Sequence, residues 1–319
     1  MWSRFKGNGL FVFSDPAGAK ACLALDDILT GENISGKRKL VSNKKYSFYK
    51  QFKSNITIVD NAGFKDTKNS MINDIDWIFT GTSHPESSDC FELKYLENIK
   101  VKSYSFIDHW TNFHLRFELK SKIIFPDIIF VIDEAAKVLA IKDGLPIEKI
   151  ELFENPYLIY LKKYRGKLLN KHEFCTKLNI SNKKKILLYA PDPISLRSGR
   201  KRNELDILKE LTDTKITDIF TVILKLHPLQ PLDGMSKLIK QHNLKVVTDV
   251  DFMPLDIFVN VDAIIGFYSN FLIEAASINK NIIQYQINEN DGELLARLKI
   301  PGVFVFNKHT LLTELNNIL

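Results

Sequence analysis

The sequence predicts an α/β protein of two parallel-sheet domains with a deep cleft between them, on three observations. Short β-branched and aromatic runs recur, each followed by a polar or Gly/Pro-marked loop and then by a stretch of helical period. That order builds parallel βαβ units. The series gives way after residue 150 to a charged, helix-leaning stretch and opens afresh at residue 185. The 319 residues also amount to two domains at about 100 to 200 residues each.

In the first half, strands are expected at 9–14 (GLFVFS), 55–60, 76–82, 100–108 and 127–133, with helices at 17–30, 85–96 and 134–143. The last helix ends at Gly144 with Pro146 beyond it, a stop signal. Residues 161–184 lack a strand pattern and are taken as a helical linker, which sets an N-terminal domain at 1–160 and a C-terminal domain at 185–319. The second series has strands at 185–193, 216–228, 244–249, 263–269, 281–286 and 303–306, and a closing helix at 308–319.

Composition narrows the class. With 45% hydrophobic and 26% charged residues the chain buries a sizeable core. Cys22, Cys90 and Cys175 are far apart and odd in number, so neither a disulfide framework nor a zinc site is expected. A reducing cytoplasm suits them. The N-terminal apolar run is too short for a signal peptide, and no run reaches the roughly 18 apolar residues of a membrane helix. The net charge of +6 gathers at 36–40, 161–167, 182–185 and 197–202. Such clusters are solvated surface, or they meet phosphate-rich ligands or the anionic inner face of a membrane. No nucleic-acid module is present in the pattern, so nucleic acid is not an expected partner.

Ligands of open α/β sheets bind beyond the carboxyl ends of the strands, so the strand-end loops hold the candidates. LKLHPLQP places His227 and Pro228 just past a strong apolar strand. Further on, AIIGFYSNFLIEAA gives a strand, a turn at Gly266, then Ser269 and Asn270 opening a helix that carries Glu274. Ser269 is either a plain N-cap or, with the helix amides, part of a phosphate site. Pro191 ends the first strand of the second half in the same way.

KLHP followed by GFYSNFLIEA resembles the C-terminal domain of GT-B-type glycosyltransferases, in particular bacterial sialyltransferases and the capsule and lipooligosaccharide transferases that use CMP-activated sugars. A similar His-Pro and Ser pair occurs in CDP-glycerol glycerophosphotransferases. The resemblance implies two Rossmann-like domains in the GT-B arrangement, with the acceptor on the N-terminal and the nucleotide-activated donor on the C-terminal domain. It gives His227 and Ser269 the nucleotide phosphate, with Pro228, Asn270, Glu274 and Pro191 around them. Those families show Ser-Ser or Ser-Thr where this chain has Ser269-Asn270.

On the acceptor side, Asp108-His109-Trp110 follow a strand directly. A carboxylate or imidazole there is placed to deprotonate an acceptor hydroxyl in an inverting transfer; the bland alternative is a helix N-cap with Trp110 and Phe113 as core. SDPAGAK supplies Ser14, Gly18 and Lys20, and GTSHPES supplies Thr82 and Ser83, in small-residue loops that open helices. Asp249-Val250-Asp251 spells a DxD that arises readily by chance, so no metal and no other cofactor is expected. Arg197, Arg200 and Arg202 face an acidic acceptor or lipid headgroups, or simply solvent.

The expected reaction is transfer of a CMP-activated acidic sugar of the sialic acid or Kdo type to a bacterial surface glycan or glycolipid. CDP-glycerol or CDP-ribitol phosphotransfer, a nucleotide-sugar epimerase or hydrolase, and a non-enzymatic scaffold are the alternatives.

Overall fold

The computed structural model describes residues 2–60, 63–83, 89–163, 166–196, 202–227, 232–248, 250–279, 281–286, 302–305 and 307–318. The chain divides into two compact units, Met1–Lys163 and Tyr164–Leu319.

The first unit is a parallel sheet. Its strands are β1 (Gly9–Phe13), β2 (Arg38–Ser42), β3 (Ile56–Ile58), β4 (Trp77–Thr80), β5 (Lys102–Ile107), β8 (Ile128–Val131) and β9 (Ile150–Leu152), in the order β3-β2-β1-β4-β5-β8-β9. A two-stranded antiparallel ribbon, β6 (Glu118–Leu119) with β7 (Lys122–Ile123), projects from the loop after β5. Continuous apolar runs such as LFVF and IIFV are buried on both faces, as parallel strands covered by helices must be. The core on one side is aromatic: Phe5 packs edge-on to Trp77, Phe79 and Tyr104, and Phe153 stacks on Phe130 at 4.3 Å.

Besides the ribbon, two strands of the parallel sheet depart from the sequence expectation. RKLVS forms β2 although its first two residues are basic, because both charges find partners. Arg38 Nε donates to Asp26 at 2.6 Å, and Lys39 Nζ donates to the carbonyls of Ser70, Met71 and Asn73 at the end of helix Phe64–Ile72. Ile150–Leu152, in a stretch without alternation, forms β9 by pairing its three residues to β8. Residues 161–184, taken as one linker, carry the end of helix Pro156–Lys163 in the first unit and helix Lys171–Leu178 in the second. An Asn170/Glu173 capping box starts the latter.

The second unit is also a parallel sheet: β10 (Lys185–Ala190), β11 (Phe220–Leu224), β12 (Lys245–Val246), β13 (Ala263–Gly266), β14 (Ile282–Tyr285) and β15 (Val303–Val305), in the order β12-β11-β10-β13-β14-β15. Its core joins Leu187, Tyr189, Val222 and Ile265 of the sheet to Ile207, Leu208 and Leu211 of helix Glu204–Leu211. Strand order reverses between β1 and β4 in the first unit and between β10 and β13 in the second. The carboxyl ends of those pairs are the switch points at which such sheets take ligands. Both units are thus Rossmann-like, as expected.

Candidate functional site

In the second unit the switch point is in register: Ala190 of β10 pairs with Gly266 of β13, so Pro191-Asp192 and Phe267-Tyr268-Ser269 leave the sheet side by side. Asp192, 4% exposed, accepts the Tyr268 N–H at 2.9 Å. That bond ties the loop presenting Ser269 to the end of β10. Ser269 is the N-cap residue of helix Asn270–Ala276 in backbone geometry, yet its hydroxyl makes no capping bond. Asn270 is half-buried and Glu274 is buried on the inner face of that helix.

One strand over, the chain past β11 stays pinned to β10 by Lys225 N–H to Tyr189 O, 3.0 Å, and half-buried His227 follows. Lys225 Nζ lies 5.3 Å from the centre of the Phe271 ring, a cation–π contact that links the β11 end to the helix after Ser269. Lys225 and His227 past β11, and Ser269 and Asn270 past β13, therefore flank the end of β10, which lies between those strands. Pro228, Asp249, Arg197 and Arg200 lie outside the described residues. Arg202 is not turned to a ligand: it pairs with Glu210 and donates to Tyr285 Oη at 3.1 Å. Asp251 accepts the Thr248 hydroxyl at 2.6 Å, and among the described residues no three His, Cys, Asp or Glu side chains are grouped to hold a metal. Nor is any helix among them long and apolar enough to cross a membrane.

The first unit's switch point has the opposite character. Asp15, two residues past β1, caps helix Pro16–Gly31 by accepting the Gly18 N–H at 2.8 Å. Gly18 is there for close approach: a Cβ on Gly81, at the end of β4, would stand 2.7 Å from the Gly18 Cα. Lys20 reaches sideways, its Nζ 4.9 Å over the Tyr157 ring and 5.7 Å over Phe48. Thr82 and Ser83, both buried, are engaged internally. The Thr82 hydroxyl donates to Phe106 O at 3.0 Å, and the Ser83 hydroxyl donates to Glu92 at 2.6 Å. The buried Ser14 holds its carbonyl to Tyr46 Oη at 2.8 Å, while its Oγ has no partner among the described residues.

Asp108 and His109 do leave the end of β5, and no helix begins there. Asp108 faces Arg116 at 3.8 Å, and His109 Nδ1 is 3.1 Å from the Thr111 hydroxyl. Trp110 and Phe113 are core, with the Trp110 indole N–H donating to Asp133. The sequence reading missed Asp15, Glu92 and Arg116. Glu92 lies in helix Phe91–Leu96, fully packed, and burial lifts its carboxyl to about 8, with Asp15 adding repulsion. Burial first, then the charge of Asp108, raises Asp15 to about 6. Burial lowers His109 below the usual imidazole range, against the pull of Asp108. Glu92 and Ser83, with Thr82 and Arg116, line a void of about 10 Å³, the size of one water.

Comparison with known proteins adds the following. Residues 161–317, the second unit almost end to end, match the sequence profile of CDP-glycerol:poly(glycerophosphate) glycerophosphotransferases. No curated protein sequence matches the chain. Among solved structures, a putative UDP-N-acetylglucosamine 2-epimerase from Listeria monocytogenes is similar at TM-score 0.68 and 12% identity, covering 98% of this chain and 88% of that one. The UDP-GlcNAc 2-epimerase of Methanocaldococcus jannaschii is similar at TM-score 0.63 and 14% identity, over 97% and 92% of the two chains. A glycosyltransferase from Rickettsia africae is similar at TM-score 0.58 and 14% identity, over 98% and 89%. At these identities the likeness is one of fold, and it is the GT-B-type fold.

Proposed function

We propose that the chain is a transferase that moves a polyol phosphate from a CDP-activated donor to a hydroxyl of a surface glycopolymer or glycolipid. The observation that carries this reading is the match of residues 161–317 to the glycerophosphotransferase profile, over the unit in which His227 and Ser269 follow the two strands that flank β10. His227 donates to the diphosphate, and the hydroxyl of Ser269, with the helix amides behind it, takes up charge that develops on the leaving CMP. Pro191, Pro228, Asn270 and Glu274 shape the nucleotide side. Imidazole and amides supply the charge stabilisation that a divalent cation supplies elsewhere, so turnover without metal is expected. Transfer of a CMP-activated acidic sugar, which the His-Pro and Ser pair alone suggested, has less support, because the profile match names a CDP-alditol donor.

In the first unit the acceptor proton goes to one group of the strand-end cluster that Asp108, His109 and Asp15 form, and Ser14, Gly18, Lys20, Thr82 and Ser83 lie around it. UDP-sugar epimerisation is the second reading, favoured by the fold of the solved relatives. Melting curves with CDP, CDP-glycerol, CMP, UDP and UDP-GlcNAc on the wild type and on His227→Ala decide among these. Stabilisation by CDP and CDP-glycerol that is lost in His227→Ala is expected. A hydrogen bond to a charged phosphate is worth about 1.5–3 kcal/mol, or roughly 10- to 100-fold in affinity. Stabilisation by UDP alone would sink the assignment.

A further inference from the structure

Three carboxylates meet at the first unit's strand ends, and their surroundings differ. Glu92 is 4% exposed, takes the Ser83 hydroxyl at 2.6 Å and is fully enclosed. Asp108 is 8% exposed and faces the Arg116 guanidinium. Asp15 keeps part of its surface open, lies at the β1/β4 switch point, and has one oxygen fixed by the Gly18 N–H. Beside it the Tyr46 ring is held by its bond to Ser14 O and stacked on Phe48 at 5.3 Å.

Resting on the transferase reading above, we propose that Asp15 is the catalytic base, with Asp108 and Arg116 as positioning residues that tune it. The acceptor hydroxyl oxygen forms the new bond to the glycerol-bearing phosphorus. The bond from that phosphorus to the bridging oxygen breaks with its electron pair on CMP, and the hydroxyl proton passes to the Asp15 carboxylate. The groups that face Asp15 are Asp108, Arg116, Glu92, Tyr46, Tyr49 and Cys22. Of these, burial and the negative charge of Asp108 raise its carboxyl to about 6, and Arg116 opposes them. A base with that value is ionised at neutral pH and still basic enough to take a proton.

Asp15→Asn tests the assignment, because asparagine keeps the cap to Gly18 and removes only the base. CMP release from CDP-glycerol in the presence of poly(glycerophosphate) is expected to fall about 100-fold or more in kcat, with KM for CDP-glycerol within about threefold. The melting temperature is expected to be no lower than wild type, since a repelling charge has gone. The wild-type kcat falls as pH drops through about 6, where Asp15 takes up its proton. In Asp108→Asn that limb is expected at lower pH. A kcat for Asp15→Asn within about threefold of wild type, or an acid limb that Asp108→Asn leaves in place, overturns the proposal and leaves the donor reading standing. A wild type that releases no CMP overturns both.

Discussion

The two switch points are built on the same sheet order and carry opposite chemistry. In the second unit the acidic groups are spent on backbone and neighbours: Asp192 holds the Tyr268 N–H, and Glu204 takes the amide and hydroxyl of Ser195 at 2.9 and 2.6 Å. What is presented is cationic or neutral, namely Lys225, His227, Ser269 and Asn270. In the first unit the carboxylates themselves are crowded together, and two of them, Asp15 and Glu92, hold protons more tightly than their free counterparts. On the proposed reading, one topology yields a place for phosphate and a place for a proton. That division is what a transfer from a nucleotide donor to a hydroxyl needs.

The contrast can be broken from either side. The largest effect is expected from Glu92→Gln. Glu92 is raised in the folded state from 4.5 to about 8, so the folded protein binds this proton more tightly than the unfolded chain. The stability it contributes is full below about 4.5 and is lost as pH rises to about 8. Melting curves between pH 5 and 8 should therefore fall more steeply for wild type than for Glu92→Gln, by an amount on the order of a few kcal/mol at the alkaline end. Parallel curves would place the carboxyl in an ordinary environment.

Gly81→Ala comes next. Its methyl meets the Gly18 backbone, which cannot swing aside as a side chain does. A loss of about 1–3 kcal/mol in denaturant unfolding is expected, while CDP-dependent stabilisation persists; an unchanged midpoint would show that the β1 and β4 ends have room to part. Asp192→Ala is the mildest. Releasing the Tyr268 N–H should cost about 1 kcal/mol, roughly fivefold in CDP affinity by calorimetry, with Asp192→Asn recovering most of it. Equal binding by both variants would detach Asp192 from the loop's position.

Much of this was legible in the sequence. Runs such as LFVF, ILLY and AIIG are apolar throughout because both faces of each sheet are covered, and they announced the strands. His227 and Ser269 were singled out by the His-Pro step after an apolar run and by the helix start after AIIG, although β11 itself ends earlier, at Leu224. RKLVS did not read as a strand, since its basic residues are answered by Asp26 and by the carbonyls of a helix about thirty residues away. Asp15 was hidden by its own cap: Asp-Pro at a helix start is explained locally, and what makes it unusual is its burial and then the charge of Asp108 across the sheet. Glu92 was hidden for the same reason, as a charge in an amphipathic-looking helix gives no sign of being enclosed.

Hydrogen exchange with and without CDP tests the division between the units most directly. Protection on nucleotide addition should fall at the ends of β10, β11 and β13, over residues 190–192, 225–227 and 267–274, and should leave residues 14–20 and 81–83 unchanged. Protection confined to the first unit, or none in either, would contradict it.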